Sequence, residues 1–264
     1  MMEGVVGTIA GLAVVLAVGS VGYLHRSVDR SGFAAGLLIG SMFVLAGGLP
    51  VTFMLITFFL VGSAFTKYKY SLKEEMGVAE MKGGARTWRN VIANLFFPTI
   101  AVLTYFLLSW EPAKLAFLAS LSGALSDTLG SEIGVLSRSF PVMIHNFRRV
   151  PPGTSGAVSP LGTAASLVGA FIIPLEALFF SLVDFNGFII ASTLGFLCSF
   201  VDSILGAILQ VRYRCEGNGR LVEDPSLCRE GATRVSGLPG LDNHAVNLIS
   251  TGVVAIAAIV LEVL

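Results

Sequence analysis

Charged side chains are scarce in this sequence. Lys, Arg, Asp and Glu make up 13% of the 264 residues, about half their share in a soluble domain. The 17 basic and 17 acidic residues cancel to a formal net charge of zero, which excludes the strongly basic surface of a nucleic-acid-binding protein. Cysteine is rare too, and three residues cannot build a disulfide framework. Hydrophobic residues, by contrast, make up 54% of the chain.

Long apolar runs follow from this composition. Several approach or exceed the ~18 residues of a membrane-spanning helix, and 30 glycines suit closely packed membrane helices. The first run is too long for a signal peptide and lacks a preceding basic segment, so we predict that it is a retained span. We predict an all-α fold, a polytopic transmembrane helix bundle forming one domain over residues 1–264. About eight spans are expected, at Gly4–Leu24, Phe33–Gly48, Val51–Thr66, Val91–Trp110, Ala113–Leu136, Leu161–Val183, Gly187–Val211 and Ala245–Leu264.

The number and direction of the spans can be checked against the connecting loops. Gly47-Gly48-Leu49-Pro50 separates the short second and third spans, so a re-entrant pair or a total of seven spans is an alternative. Alternate connections carry 16 of the 17 basic residues, and Lys114 alone falls on the other side. The positive-inside rule places the basic side in the cytoplasm and both termini on the outer side. The predicted cytoplasmic loops are residues 66–90, 137–160 and 212–244.

Carboxylates occur inside the predicted spans. Asp127 in span five and Asp202 in span seven each lie about nine residues from the cytoplasmic end, which gives them similar depth at ~1.5 Å per residue. Glu132 lies about one turn nearer the cytoplasm, and Asp242 begins span eight. An acid inside a membrane costs about 2.5–3.5 kcal/mol and usually marks a functional site. The alternative is an acid paired with a nearby Arg, and Glu176 in span six is interpreted as structural.

Basic and glycine-rich loops are predicted at the same membrane face. The loops before spans six and eight lead into helix N-termini, whose free N–H groups favour anions. No Walker-type lysine motif and no protein-kinase signature is present in the sequence. The candidates for binding substrate or nucleotide phosphates are Lys73, Arg86, Arg148, Arg149, Gly153, Thr154, Ser155, Ser159, Asn243 and Asn247.

Carboxylates beside basic loops are typical of phosphoryl or nucleotidyl transfer. Mg²⁺ is bound through one or two carboxylates together with substrate phosphates, and catalysis is mostly positioning and charge stabilisation. We expect Mg²⁺ ligands among Asp127, Glu132, Asp202 and Asp242, and catalytic roles for Asp127, Glu132, Asp202 and Lys67. In one loop, Cys215 and Cys228 are too few for a structural zinc site, and they form either thiols or a disulfide-stapled hairpin.

Six ordered segments resemble a known family. They are "GSAFTKYK", "GGARTWRNVIAN", "SDTLGSEIG", "VPPGTSGAVSPLGT", "FVDSILGA" and "LDNHAVN". Together they cover nearly the whole chain and are similar to those of the integral-membrane family that includes plant phytyl-phosphate kinase and bacterial and archaeal relatives. The resemblance implies transfer of the γ-phosphoryl group of CTP or ATP, with Mg²⁺, to a phytyl- or geranylgeranyl-type lipid monophosphate.

Other functions fit the same residues. A CTP-dependent cytidylyltransferase acting on a lipid phosphate would need similar groups, because the resembled family is distantly similar to CDP-diacylglycerol synthases. A transporter using intramembrane acids is a third hypothesis, and a non-enzymatic lipid-binding protein is a fourth. The expected partners are an isoprenoid lipid phosphate, a nucleoside triphosphate and the lipid bilayer, and a homodimer is left open. We expect an active site that faces the cytoplasm.

Overall fold

Long helices dominate the described part of the chain. The structure, a computed structural model, describes residues 2–217, 219 and 221–264. Arg220, one of the basic loop residues counted above, lies outside the described residues. The helices are α1 (Met2–Leu24), α2 (Arg30–Lys67), α3 (Tyr70–Glu75), α4 (Met81–Gly84), α5 (Trp88–Leu108), α6 (Glu111–Gly134), α7 (Pro160–Phe179), α8 (Phe185–Ile208) and α9 (Asn243–Val263).

Six of these helices are long and apolar enough to cross a membrane, namely α1, α2, α5, α7, α8 and α9. This confirms the predicted all-α transmembrane bundle. The helix ends lie within a few residues of the predicted spans. The largest difference is at span six, which was expected to reach Val183, whereas α7 ends at Phe179.

Helix α2 reverses direction in its middle. Gly48 has φ 63° and ψ −153°, outside the helical region. Cβ atoms added at Gly32 and Gly62 would lie 2.2 Å from the Arg86 carbonyl oxygen and 3.1 Å from Arg86 Nη2, respectively. A straight helix would separate these two glycines by about 45 Å. The chain therefore folds back at Gly48 into two arms, residues 30–47 and 49–67, each about 27–29 Å long and close to the ~30 Å of the hydrocarbon core.

Helix α6 occupies the middle of the bundle, where it packs against α5, α7, α8 and α9. It falls outside the six apolar helices because it carries several serines, yet almost all of residues 115–126 are buried. Ser122 Oγ donates to the Ala170 carbonyl at 2.7 Å, and Ser126 Oγ donates to the Ser166 carbonyl at 2.8 Å. A helix surrounded by protein can carry such groups. Adding α6 and the two arms of α2 gives about eight crossings, as predicted.

The longer connections gather on one side of the bundle, which we call the loop face. It comprises residues 25–29, 68–87, 135–159 and 209–242. Arg89 Nη2 lies 2.5 Å from Asp242 Oδ2, and Ser155 Oγ donates to Glu223 Oε1 at 2.6 Å, so different connections contact one another. Because the helices alternate in direction, α1 begins and α9 ends on the opposite side. The assignment of these sides to cytoplasm and exterior stays a prediction.

Short strands in the loop face were not predicted from the sequence. β1 (Val142–Met143) pairs with β2 (Ala157–Val158). β3 (Arg212–Cys215) lies between β4 (Leu221–Val222) and β5 (Ala232–Ser236), and a 3₁₀ turn spans Pro225–Leu227. A Cys215–Cys228 disulfide joins β3 to the residue after this turn. Of the two alternatives for these cysteines, the structure has the stapled hairpin.

Candidate functional site

Asp127 and Asp202 face each other across the contact between α6 and α8. A Cβ at Gly123 would lie 2.7 Å from Cys198, so the two helices touch at this level. Each aspartate lies one turn further along its helix toward the loop face, because the spacing is four residues in both cases. Their carboxyl groups are near enough to interact electrostatically, and the Cys198 thiol interacts with both. The predicted equal depth of these two acids thus places them side by side.

Helix α9 completes the surroundings of Asp202. Ser250 Oγ donates to Asp202 Oδ2 at 3.1 Å. Hydrogen bonding orients the Asn247 amide so that its nitrogen also donates to Asp202 Oδ2, at 3.1 Å, and to the Asn243 carbonyl, at 2.9 Å. Of the predicted phosphate-binding residues, Asn247 therefore lies next to the carboxylate pair, and the exposed Asn243 is one helical turn nearer the loop face. The two donors fix the orientation of Asp202 and leave Asp127 to face it.

Glu132 and Lys73 form a separate buried ion pair. The Lys73 ammonium lies 2.6 Å from Glu132 Oε2, and its side chain is fully buried. It also donates to the carbonyls of Phe65, at 2.8 Å, and Thr66, at 3.4 Å, which are left free at the end of α2. All three of its donors are used in these contacts, which leaves none directed at a phosphate, and the phosphate-binding role of Lys73 stays a prediction. Glu132, predicted as a metal ligand, is bound to Lys73 instead.

Asp242 and Lys67 also make contacts other than the predicted ones. Asp242 Oδ1 caps the start of α9 by accepting from the Ala245 N–H at 3.0 Å, while Oδ2 pairs with Arg89. Lys67 Nζ donates to the His25 carbonyl and ties the end of α2 to the end of α1. Neither contact joins these residues to the Asp127–Asp202 pair.

The four predicted metal ligands are accordingly divided. The described residues contain no group of three or more His, Cys, Asp or Glu side chains placed to hold one metal ion. Asp127 and Asp202 alone face each other. Two carboxylates are nevertheless the usual protein share of a Mg²⁺ site, where substrate phosphates and water supply the other ligands. The pair therefore fits Mg²⁺ bound together with a phosphate substrate.

The loop before α7 is used mainly for structural contacts. Ser159 accepts from the Gly162 N–H at 3.1 Å as the N-cap of α7 and donates to the Gly134 carbonyl. Gly153 lies against Val78, where an added Cβ would be 2.3 Å from the Val78 side chain. Four further predicted residues are accounted for here, because Thr154 bonds to Pro151, Ser155 bonds to Glu223, and Arg148 and Arg149 are exposed. None of these contacts is made to Asp127 or Asp202.

Arg86 has a different environment from the other predicted cations. Its guanidinium is half-buried, lies over Gly62, and stands 6.0 Å from the centroid of the Phe58 ring. Its Nη2 donates to Thr66 Oγ1 at 3.3 Å. Removal from solvent lowers the pKa of Arg86 from its usual value, against the longer-range attraction of Glu132 and Glu80. Among the described residues, no carboxylate lies within 4.0 Å of this cation.

Sequence reasoning missed several polar groups near the pair. Ser250 lies four residues before Val254, and Cys198 lies four residues before Asp202. The sequence alone does not show that these two side chains lie near the pair, because their position depends on how the helices are aligned against one another. Asn94 Oδ1 in α5 and His244 Nδ1 in α9 are buried and have no hydrogen-bond partner among the described residues. A Cβ at Gly252 would lie 2.6 Å from Phe97, so Asn94, one turn nearer the loop face, is at about the depth of Ser250.

Comparisons with known proteins support an integral membrane family. The family model described as "Integral membrane protein DUF92" matches residues 13–255. Protein PGR of Arabidopsis thaliana is 31% identical over 253 residues, which cover 86% of each chain. An uncharacterised membrane protein of Methanocaldococcus jannaschii is 29% identical over 186 residues, 70% of this chain and 76% of that one. The chloroplastic protein VTE6 of Arabidopsis thaliana is 27% identical over 244 residues, 90% of this chain and 66% of its own. No solved structure matches the chain.

Proposed function

Since the chain belongs to the integral membrane protein family DUF92, we propose that it is a membrane-embedded isoprenyl-phosphate kinase. It transfers the γ-phosphoryl group of CTP or ATP to a phytyl- or geranylgeranyl-type lipid monophosphate. The facing pair of Asp127 and Asp202 carries this proposal. Two half-buried carboxylates at the loop-face end of the bundle supply what a phosphate-bound Mg²⁺ requires from a protein. The resemblance of six motifs to the family of plant phytyl-phosphate kinase supports the choice of substrate.

The residues around the pair have distinct tasks in this proposal. Asp127 and Asp202 would hold Mg²⁺, which when bound neutralises phosphate charge during transfer. Asn247 and Ser250 hold Asp202 in place through its Oδ2 atom, so they are positioning residues. The acceptor is a phosphate monoester that is already ionised near neutral pH. It needs no strong general base, and the proposal assigns none.

Close packing beyond the carboxylates supports a transferase over a transporter. On the side away from the loop face, a Cβ at Gly195 would lie 2.0 Å from Ser122 Oγ, and one at Gly123 would lie 2.7 Å from Cys198. A transporter has to open its site to both sides of the membrane. Here α6 and α8 touch directly beneath the acids, whereas the loop face lies one or two turns above them. By the positive-inside rule this open side faces the cytoplasm, where CTP and ATP are found.

A transfer assay with purified protein tests the proposal. The protein in detergent is mixed with Mg²⁺, γ-phosphate-labelled CTP or ATP, and geranylgeranyl or phytyl monophosphate. We expect label in the lipid diphosphate, and loss of about 10²–10³-fold in rate in Asp127→Asn and Asp202→Asn. Glu176→Gln is the matched control, because it neutralises an acid in α7 that is placed away from the pair.

The position of the label separates the alternatives. Transfer from the α-position of CTP, with none from the γ-position, would replace the kinase by a cytidylyltransferase that uses the same carboxylates. Absence of both transfers in a folded protein would contradict a transferase function. Transfer rates in the Asp127→Asn and Asp202→Asn variants equal to that of the unchanged protein would contradict the assignment of the site.

A further inference from the structure

An apolar cavity lies between the N-terminal helices, apart from the carboxylate pair. It is enclosed by α1, the two arms of α2 and the start of α5, and its volume is about 90 Å³. Val18, Phe33, Leu37, Phe59 and Leu95 line its walls. These side chains offer no hydrogen bonds, so an occupant of this part of the cavity has to be apolar.

Glycines of α2 give the cavity its length and shape. A Cβ at Gly36 would meet nothing within 4 Å, whereas one at Gly40 would lie 2.6 Å from Val15. The groove is thus open in the middle and closed where α1 meets Gly40. From Gly40 to Gly32 it runs about 12 Å along the helix axis toward the loop face.

Arg86 stands at the loop-face end of this cavity, and Asn90 lies beside it. The backbone of Arg86 is held by two hydrogen bonds, from Arg86 N–H to the Ser27 carbonyl and from the Asp29 N–H to the Arg86 carbonyl, both at 3.0 Å. Its nearest acid on α6, Glu132, is already paired with Lys73. A half-buried guanidinium without a bound carboxylate favours an anion, and its planar fork suits a phosphate.

The geometry points to a lipid site: we propose that this cavity receives the tail of a single-chain isoprenyl phosphate whose phosphate is bound by Arg86. The inference rests on the proposed function, since it identifies where the acceptor lipid of that reaction binds. An apolar groove that ends at an unpaired cation complements a lipid with one tail and one phosphate. A groove of about 90 Å³ has room for part of one apolar chain and not for the two chains of a phospholipid, so the rest of the tail would extend into the bilayer.

The location agrees with access from the bilayer and with transfer at the loop face. Helix α1 buries little of its surface, and the cavity is partly open, so a lipid can enter sideways. Arg86 interacts electrostatically with Glu132, which lies five residues, or about 7.5 Å along α6, from Asp127. The bound phosphate would therefore lie at the same end of α6 as the carboxylate pair.

Binding measurements with short and long lipids test the site without relying on catalysis. Radiolabelled geranylgeranyl monophosphate and dimethylallyl monophosphate are titrated against the full-length protein in detergent. We expect Gly36→Leu, which fills the groove, to weaken geranylgeranyl monophosphate by at least about 10-fold, since a lost apolar contact of ~1.4 kcal/mol is tenfold. Binding of the short lipid should change little. Arg86→Gln should weaken both lipids by about 10-fold or more.

Two controls keep the outcome specific. Gly7→Leu in α1 is matched to Gly36→Leu, because a Cβ at either glycine would meet nothing within 4 Å, and it should bind both lipids normally. Asp127→Asn should also bind geranylgeranyl monophosphate while losing transfer, which separates failure of the site from failure of the proposed function. Unchanged binding of both lipids in folded Gly36→Leu would overturn the inference. Equally tight competition by two-chain phosphatidic acid would also overturn it.

Discussion

At the scale of single residues, the Lys73–Glu132 pair shows how a predicted ligand can be a structural group. The pair joins α3 to the end of α6, and Lys73 also covers carbonyls at the end of α2. The ammonium is fully buried and the carboxylate is 15% exposed. Removing one partner from such a pair leaves the other charge buried without compensation.

We expect Lys73→Met and Glu132→Gln each to destabilise the fold by about 3–5 kcal/mol, with Glu132→Gln at the lower end because its carboxylate keeps some solvent. The double variant Lys73→Met/Glu132→Gln should recover much of this loss, since no unpaired charge remains. Denaturant titration in detergent measures the free energy of unfolding of the four proteins in this double-mutant cycle. Additive losses would contradict an energetic pairing.

The sequence predicted depth better than it predicted partners. Asp127, Asp202 and Asn247 lie together because helical rise alone sets their level in the membrane. Lys73, Glu132 and Asp242 lie near the same level but are bound by partners that are distant in sequence. Glu132 is 59 positions from Lys73, and Asp242 is 153 from Arg89. No local pattern encodes which way a side chain turns or which of several opposite charges it meets.

At the scale of elements, apolar runs predicted the helices, and the loops were predicted poorly. The helices follow from uninterrupted hydrophobic sequence, and the reversal within α2 follows from Gly47-Gly48-Leu49-Pro50. The two small sheets in the loop face consist of strands of two to five residues. Such short strands are fixed by contacts with the helix ends. One example is the bond that Arg212 Nη2 donates to the Gly206 carbonyl in α8 at 3.1 Å.

The loop before α7 provides a test of this docking. Gly156 has φ +77°, and an added Cβ would lie 2.3 Å from the backbone nitrogen of Ala207 in α8. We expect Gly156→Ala to combine a left-handed backbone cost of about 1–2 kcal/mol with an overpacking cost of about 1–3 kcal/mol. Thermal unfolding in detergent should show a lower midpoint temperature for Gly156→Ala than for the unchanged protein.

Gly240→Ala is the control for backbone conformation alone. Gly240 has φ +84°, but nothing lies within 4 Å of its added Cβ. Its substitution should cost only about 1–2 kcal/mol. Equal shifts in the two variants would show that the loop does not press against α8 in the way the structure describes.

At the scale of the whole molecule, the loop face separates the protein into two unlike sides. Three connections of 20 or more residues lie on this face, whereas the described connections on the opposite side are short turns such as residues 109–110 and 180–184. The basic residues follow the same division, since every described one except Lys114 lies in a loop-face connection or in the helix turn next to it. Charge of this kind sets the orientation of a membrane protein.

Cysteine labelling in whole cells measures that orientation. A membrane-impermeant maleimide should label Ser109→Cys in intact cells, and Ser139→Cys only after the membrane is permeabilised. Both serines are exposed, and they lie in connections on opposite sides. The native background should be low, because Cys198 is buried and Cys215 is paired with Cys228. The reverse pattern would place the loop face outside the cell and remove direct access to cytoplasmic CTP or ATP.

The serine-rich interior of α6 has a consequence for biosynthesis. The translocon inserts a nascent segment largely according to how well that segment partitions into lipid. Among the long described helices, α6 is the one that is not apolar enough to qualify as a membrane span by itself. Its hydroxyls find their acceptors on α7, which is synthesised later. We therefore expect α6 to enter the membrane together with α5, to which residues 109–110 join it. Its hydrogen bonds to α7 would form only after α7 has been synthesised and inserted. The helix at the centre of the bundle is thus the one whose membrane insertion depends most on the neighbouring helices.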